Sequence, residues 1–273
     1  MSKYKVLVLD LDGTLTNSKK EISERNKQAL MEAQQKGIKI ILASGRPTYG
    51  IVPLAEELKL SENGGYILSY NGGTIINWET KEIIHESRIS KELIPDLYND
   101  ASGKGFSIIS YINEHIITED KDNKYIGVEA HLNKMKIKEV PSFTETINHD
   151  TPKCLIVGDA ENLQTLEKQM QVKYDGIMSI YRSEPFFLEI VPLNIDKAQS
   201  LKKLLSHINI EREEMIACGD GFNDLSMIEY AGLGIAMANA QLPVKEVSNY
   251  ITLSNDEDGV AHVIEKFILN TQA

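Results

Sequence analysis

Two cysteines in 273 residues are too few for a disulfide framework. Cys154 and Cys218 lie far apart in apolar, strand-like runs, so they read as small buried hydrophobes rather than as a thiolate metal centre. Long apolar runs are also missing: none approaches the roughly 18–20 residues needed to span a bilayer, which excludes a membrane partner. The opening MSKYKVLVLDLDGT has a short apolar run that ends in acids and offers no small-residue cleavage site. It does not read as a signal peptide, and a cytoplasmic location is expected. Positive charge is scarce: 29 Lys and Arg face 40 Asp and Glu, a formal net charge of −11 with no basic block. Nucleic-acid binding, which needs a cationic surface to neutralise phosphates, is therefore excluded. A small anionic ligand is still admitted, because one local site can be positive on an acidic protein. His85, His115, His149, His207 and His262 show no metal-ligand spacing and receive no role. No protein partner is indicated.

What is present is core-forming material, 42% hydrophobic, in a strand–helix–strand order. The YKVLVL of the run Lys3 to Leu9 is the pattern of a strand buried on both faces of a parallel sheet, and it stops at Asp10-Leu11-Asp12-Gly13. A helix is predicted over 23–36, with Ser23 as N-cap and Gly37 as stop. Ile38 to Ala43 reads as a second strand ending at Ser44-Gly45-Arg46-Pro47, Thr48 to Leu58 as a helix, and Tyr66 to Ser69 as a third strand. The pattern resumes after Pro192. A helix is predicted over Lys197 to His207, a strand over Met215 to Cys218 ending at Gly219-Asp220-Gly221, and a helix over Asn223 to Ala231. Short elements then cover 234–237, 244–247 and 250–253, and a last helix covers 259–269. The expected fold class is α/β, a Rossmann-like parallel sheet with helices on both faces. Residues 83–191 have a different character. A helix near 91–103 precedes strands at 106–111 and 115–119. A strand at 154–157 and a helix at 160–172 precede strands at 178–182 and 186–191. This predicts an α+β domain inserted into a core made of 1–82 and 192–273.

Three predicted strands end in groups suited to a cation and a phosphate. Asp10 and Asp12 follow the first, where ligands bind in open α/β sheets. Two neighbouring acids repel, and a hard divalent cation with oxygen ligands relieves the repulsion, Mg²⁺ being the usual ion beside phosphate. Ser44 and the amide of Gly45 follow the second strand, and a hydroxyl with free N–H groups at such a turn can hold a phosphate oxygen. Asp220, Asn223 and Asp224 follow the strand Met215–Cys218. Lys197 opens a helix and can neutralise a carboxylate and a phosphate together. Taken singly, each also fits ordinary structure: a solvated turn, a helix-start signal, an Asx-type turn and a surface lysine. Their conjunction in one predicted sheet is what points to chemistry.

These residues, Asp10-Leu11-Asp12-Gly13-Thr14, Ser44 in Leu42-Ala43-Ser44-Gly45-Arg46, Lys197, and Gly219-Asp220-Gly221-Phe222-Asn223-Asp224, resemble the four ordered motifs of the haloacid dehalogenase superfamily. The large insert resembles the cap of its Cof-type branch. Two positions depart from the branch pattern: Lys197 is followed by Ala198 where Gly is common, and Ser69-Tyr70-Asn71-Gly72-Gly73 stands where Ser-Asn-Gly-Ala is common. Neither removes a catalytic group. The resemblance implies a Mg²⁺-dependent phosphatase acting on a small phosphorylated metabolite, with sugar phosphates first among the candidates. In it, Asp10 attacks phosphorus to give an aspartyl-phosphate, while Asp12 protonates the leaving group and then activates water. It also implies that Asp10, the main-chain carbonyl of Asp12 and Asp220 bind Mg²⁺, with Asp224 supporting the metal site. Ser44, the amides of Leu11 and Gly45, Lys197 and Asn223 would hold the phosphoryl group. The inserted domain would close over the site, with the Tyr181–Phe187 hairpin and the His131 region as candidate readers of the leaving group. A phosphomannomutase-like transferase and a non-enzymatic regulatory protein on the same scaffold are the competing readings.

Overall fold

The computed structural model describes residues 3–270. The chain forms two compact units, one from the chain up to His85 and again from Asp196 onward, the other from Glu86–Ile195.

The first unit opens with strand β1 (Val6–Leu9), whose four side chains are fully buried. Burying each such side chain is worth roughly 1.5–3 kcal/mol, which is why an all-aliphatic run settles in the middle of a sheet. Helix α1 (Glu24–Gln35) follows, with the Ser23 side chain accepting from the Asn26 amide at its start. Its buried face includes Ala29, Leu30 and Ala33. Strand β2 (Lys39–Ala43), helix α2 (Thr48–Glu57) and strand β3 (Tyr66–Ser69) complete two β–α–β steps, with β1, β2 and β3 paired in parallel. Beyond β3 the chain doubles back as β4 (Thr74–Asn77), antiparallel to β3, and β5 (Ile83–Glu86) lies beside β4, an extension that the sequence pattern did not disclose.

The second unit runs through α3 (Ile94–Ala101), β6 (Ser107–Ile112), β7 (His115–Thr118), α4 (Lys124–Asn133), β8 (Lys136–Glu139), α5 (Phe143–Thr146), β9 (Cys154–Val157), α6 (Ala160–Lys173), β10 (Met178–Glu184) and β11 (Phe187–Pro192). Its six strands lie in the order β10-β11-β9-β6-β7-β8. The expected hairpins β6/β7 and β10/β11 are both antiparallel, and only the β7/β8 pair is parallel. Ile94, Leu97, Phe143, Leu163 and Leu188 build this unit's own core.

The first unit then resumes with α7 (Lys197–His207), β12 (Met215–Gly219), α8 (Leu225–Tyr230), β13 (Leu233–Ala236), α9 (Leu242–Val247), β14 (Tyr250–Ile251) and α10 (Gly259–Ile264). The eight-stranded sheet has the order β14-β13-β12-β1-β2-β3-β4-β5, and its first six strands are parallel. Helices cover both sides of it, α1 packing on α10 and α7 on α8. Two helices differ from expectation. The helix expected over 223–231 is a 3-10 turn at Phe222–Asp224 before α8, and the last helix widens into a π turn at Glu265–Leu269. Cys154 and Cys218 are both buried and free, and burial pushes each thiol well above its ordinary range.

Candidate active site

β1 lies between β2 and β12, so the sheet grows to one side through β2 and β3 and to the other through β12 and β13. A crevice at the carboxyl ends of the strands is expected at that switch point. Asp10 follows β1, Ser44 follows β2, Tyr70 and Asn71 follow β3, and Asp220 follows β12.

Asp10 is buried, and its amide donates to the Cys218 carbonyl at 3.1 Å, continuing the β1–β12 ladder by one residue. Lys197 joins it from α7. The Asp196 side chain caps that helix through the Gln199 amide at 2.8 Å, which sets Lys197 at the first helical position. A cation there meets the positive end of the helix, so it needs strong anionic partners. It has two: Nζ donates to Asp10 Oδ1 at 2.6 Å and to Asp224 Oδ1 at 2.5 Å. The other Asp224 oxygen accepts from the amides of Asp220 and Gly221, both at 2.9 Å. Asp220 in turn accepts from the Thr14 hydroxyl at 2.8 Å. Asp10, Asp220 and Asp224 each offer an oxygen within 4.8 Å of the others.

This concentration of acid has electrostatic consequences. Burial, reinforced by repulsion from Asp224, raises the Asp10 pKa against the opposing pull of Lys197. Burial also lifts Asp220 to about 6, with the Thr14 hydrogen bond opposing and Asp224 adding to the rise. For Lys197, burial works against the charge, yet Asp10 and Asp224 outweigh it and its pKa rises. One ammonium thus serves three carboxylates. The excess negative charge, with only oxygen donors, fits a hard divalent cation. Asp224 has both oxygens engaged by Lys197 and two amides, so it fits a supporting place better than a ligand's.

Asp12 is held apart from that cluster. Arg46 donates to it in a fork, Nε to Oδ2 at 2.7 Å and Nη2 to Oδ1 at 2.7 Å, and Lys20 Nζ adds a third bond at 2.8 Å. Burial pushes the Asp12 carboxyl up, but the Arg46 and Lys20 interactions win and hold it at about 2.

The turn after β2 is built around Ser44, whose amide donates to Leu68 O at 2.9 Å and whose Oγ accepts from the Arg46 amide at 3.2 Å. The Leu11 carbonyl is taken by the Thr16 amide and hydroxyl, which fixes the turn carrying the Leu11 amide. A Cβ on Gly45 would lie 3.2 Å from the Asn71 amide group, so Asn71 rests directly over that turn. Asn223 completes this edge, donating to Asn71 Oδ1 at 3.0 Å.

The structure therefore brings Asp10, Lys197, Asp220 and Asp224 into one bonded cluster and sets Ser44, Gly45 and Asn223 around Asn71. Sequence reasoning gave no role to Arg46, Lys20, Thr14 or Asn71. For Asn71 a signal existed: it and Tyr70 adopt positive φ of 55° and 54°, in a Tyr-Asn-Gly-Gly stretch of the kind that favours left-handed backbone. His131 is exposed on α4, and the Tyr181–Phe187 segment is the β10–β11 hairpin with a register shift between Arg182 and Glu184.

Comparison with known proteins agrees with this arrangement. Residues 7–264 match the family model for haloacid dehalogenase-like hydrolases. A crystal structure of a haloacid dehalogenase-like hydrolase from Bacteroides thetaiotaomicron is 56% identical, with a TM-score of 0.95 over 96% of this chain and 99% of that one. YxeH of Bacillus subtilis (strain 168), a protein described as a phosphatase, is 34% identical over 97% of this chain and 99% of its own length. The 5-amino-6-(5-phospho-D-ribitylamino)uracil phosphatase YcsE of the same organism is 32% identical over 97% of this chain and 96% of its own. This chain belongs to the haloacid dehalogenase-like hydrolase family and is a phosphatase.

Proposed function

We propose that the chain releases phosphate from a small sugar-derived phosphomonoester, that Asp10 is the nucleophile, and that Mg²⁺ is required. The observation that carries this reading is the buried Lys197 ammonium bridging Asp10 and Asp224, beside the Asp220 carboxylate. Asp10 sits at the end of the central strand with one oxygen on Lys197, which orients its other oxygen for attack on phosphorus. Lys197 neutralises charge on the transferring group, and the Ser44 hydroxyl with the Leu11 and Gly45 amides receives its oxygens. Asn223 reaches the phosphoryl group from the Asn71 side. Asp12 is ionised in the free chain, and the negative charge of a bound phosphate raises its proton affinity. In that protonated form it hands a proton to the leaving oxygen, and in the second step it takes one from the water that opens the aspartyl-phosphate, so its proton count closes over the cycle. Asp10, the Asp12 main-chain carbonyl and Asp220 would hold Mg²⁺, with Asp224 behind them; the ion supplies charge neutralisation at the phosphoryl oxygens. A sugar-derived substrate is supported by the activity of YcsE, whose substrate carries its phosphate on a ribityl chain.

A phosphate-release screen of the purified chain over sugar, polyol and nucleoside phosphates, with EDTA and then with restored Mg²⁺, tests the reading. Release that disappears with EDTA, returns with Mg²⁺ and is lost in Asp10→Asn is the expected result. Conversion of a hexose 6-phosphate to its 1-phosphate without free phosphate would make the chain a mutase instead.

A further inference from the structure

The Asp12 carboxylate lies on the turn after β1 with 39% of its side chain exposed, yet its orientation is fixed by a residue 34 positions away. Arg46 approaches it edge-on with two parallel N–H bonds of 2.7 Å. A guanidinium fork of this kind sets the plane of a carboxylate as well as its position, which a lysine cannot do. Arg46 is itself anchored, with only 13% of its side chain exposed. Its Nη1 donates to the Gly50 carbonyl in α2, its amide donates to Ser44 Oγ, and its carbonyl accepts from Tyr70. The fork thus ties Asp12, on the turn after β1, to the turn after β2 and the first turn of α2.

A carboxylate has about four acceptor positions. Two are used by the Arg46 fork and a third by Lys20, so one is left, and its direction is dictated by Arg46. We propose that Arg46 is the positioning residue for proton transfer: it aims the one remaining acceptor position of Asp12 at the leaving oxygen of the substrate. The inference rests on the reading of Asp12 as acid and base given above. Arg46 and Lys20 keep Asp12 ionised in the free chain; the phosphate dianion of a bound substrate raises its proton affinity, so the proton it takes from water in the second step stays for the next turnover. In the step concerned, the bond from phosphorus to the ester oxygen breaks, the bond from Asp10 to phosphorus forms, and that proton passes from Asp12 to the departing oxygen.

The test compares two leaving groups. An alkoxide such as that of glycerol phosphate needs a proton as it departs, whereas the nitrophenolate of p-nitrophenyl phosphate departs without one. kcat/KM reports only events up to release of the leaving group. Arg46→Ala should lower kcat/KM for glycerol phosphate on the order of 10²-fold, the low end of what general acid catalysis supplies, and change it for p-nitrophenyl phosphate by no more than about fivefold. Arg46→Lys keeps the charge but loses the fork, and should show the same selective loss; it decides the matter if Arg46→Ala does not fold, as judged by thermal denaturation. Equal losses on both substrates would mean that Arg46 binds the phosphate or merely supports the turn, and no loss on either would mean that Asp12 is aimed without it; both overturn the proposal. Asp12→Asn separates the two levels of the argument. A selective loss in Asp12→Asn without one in the Arg46 variants overturns only the positioning role. A non-selective Asp12→Asn, or a wild-type chain that hydrolyses neither ester, overturns the acid role of Asp12 and the positioning role with it.

Discussion

Lys197 is the residue on which the site depends most heavily. It is completely buried and shares its charge between Asp10 and Asp224. Removing one partner of a buried ion pair leaves uncompensated charge behind and costs roughly 3–5 kcal/mol. Lys197→Ala is therefore expected to lower the melting temperature markedly as well as activity, and thermal denaturation beside kcat/KM would show both. Asp10→Asn should behave differently. It keeps the volume and removes one of three crowded negative charges, so the melting temperature should hold within a few degrees while phosphate release falls below detection. A variant that still turns over would remove Asp10 from the nucleophile's place. At this scale the sequence was readable where residue type alone carries meaning: an acid at a strand end, a lysine at a helix start. It was unreadable where meaning lies in a pairing. An arginine after Ser-Gly is an ordinary helix-start residue, and nothing in its neighbourhood announces a fork to an aspartate on another turn. Asn71 was missed for a related reason, since its contacts with Asn223 and with the Gly45 turn join segments far apart in the chain.

Among the elements, the turns after the strands matter more than the strands. Gly13 has φ +85°, a left-handed conformation, and a Cβ there would lie 2.3 Å from Asp220 Oδ2. Gly13→Ala should thus meet two penalties. The backbone term is about 1–2 kcal/mol, and displacement of the Asp220 carboxylate adds to it. Metal dependence should weaken in parallel, seen as a higher Mg²⁺ concentration for half-maximal phosphate release. A variant with wild-type stability and an unchanged Mg²⁺ requirement would show that the turn can relax without touching Asp220. The strands themselves were legible because burial on both faces favours short, mainly apolar runs: β1, β2, β3 and β12 all announce themselves this way. The elements that escaped notice lack that constraint. β8 reads Lys-Ile-Lys-Glu with a mostly exposed pattern, and β4 is a four-residue Thr-Ile-Ile-Asn run, only half of it buried, that returns beside β3 after the Tyr70–Gly72 turn. α4 carries Gly127 in its middle and has no single apolar stripe, so the 3.6-residue period is faint there.

For the molecule as a whole, the acid cluster links folding to pH and to the metal. In the unfolded chain Asp220 titrates near its ordinary 3.8, whereas in the folded chain burial carries it to about 6, and Asp10 is raised as well. The folded state therefore holds more protons than the unfolded state between those values, so this contribution to stability falls as pH rises. It is fully present below the ordinary carboxylate range and, for Asp220, lost as pH climbs through about 6. Asp12 works in the opposite sense: held at about 2, it contributes stability above the ordinary carboxylate range, lost only as pH falls toward that value. The metal-free chain should accordingly be less stable at about pH 8 than at about pH 5 by an amount that shrinks in Asp220→Asn, whose side chain does not titrate. Added Mg²⁺ should reverse the trend. It binds the ionised carboxylates of the folded state and competes with their protons, so the stabilisation it gives should grow with pH. A concentration of 100 times Kd would contribute about 2.7 kcal/mol at the upper end. Melting temperatures of the wild type and Asp220→Asn, taken in EDTA and in Mg²⁺ across that pH range, check the linkage. A Mg²⁺ shift of equal size at every pH, or one unchanged by Asp220→Asn, would place the ion somewhere other than beside Asp10 and Asp220.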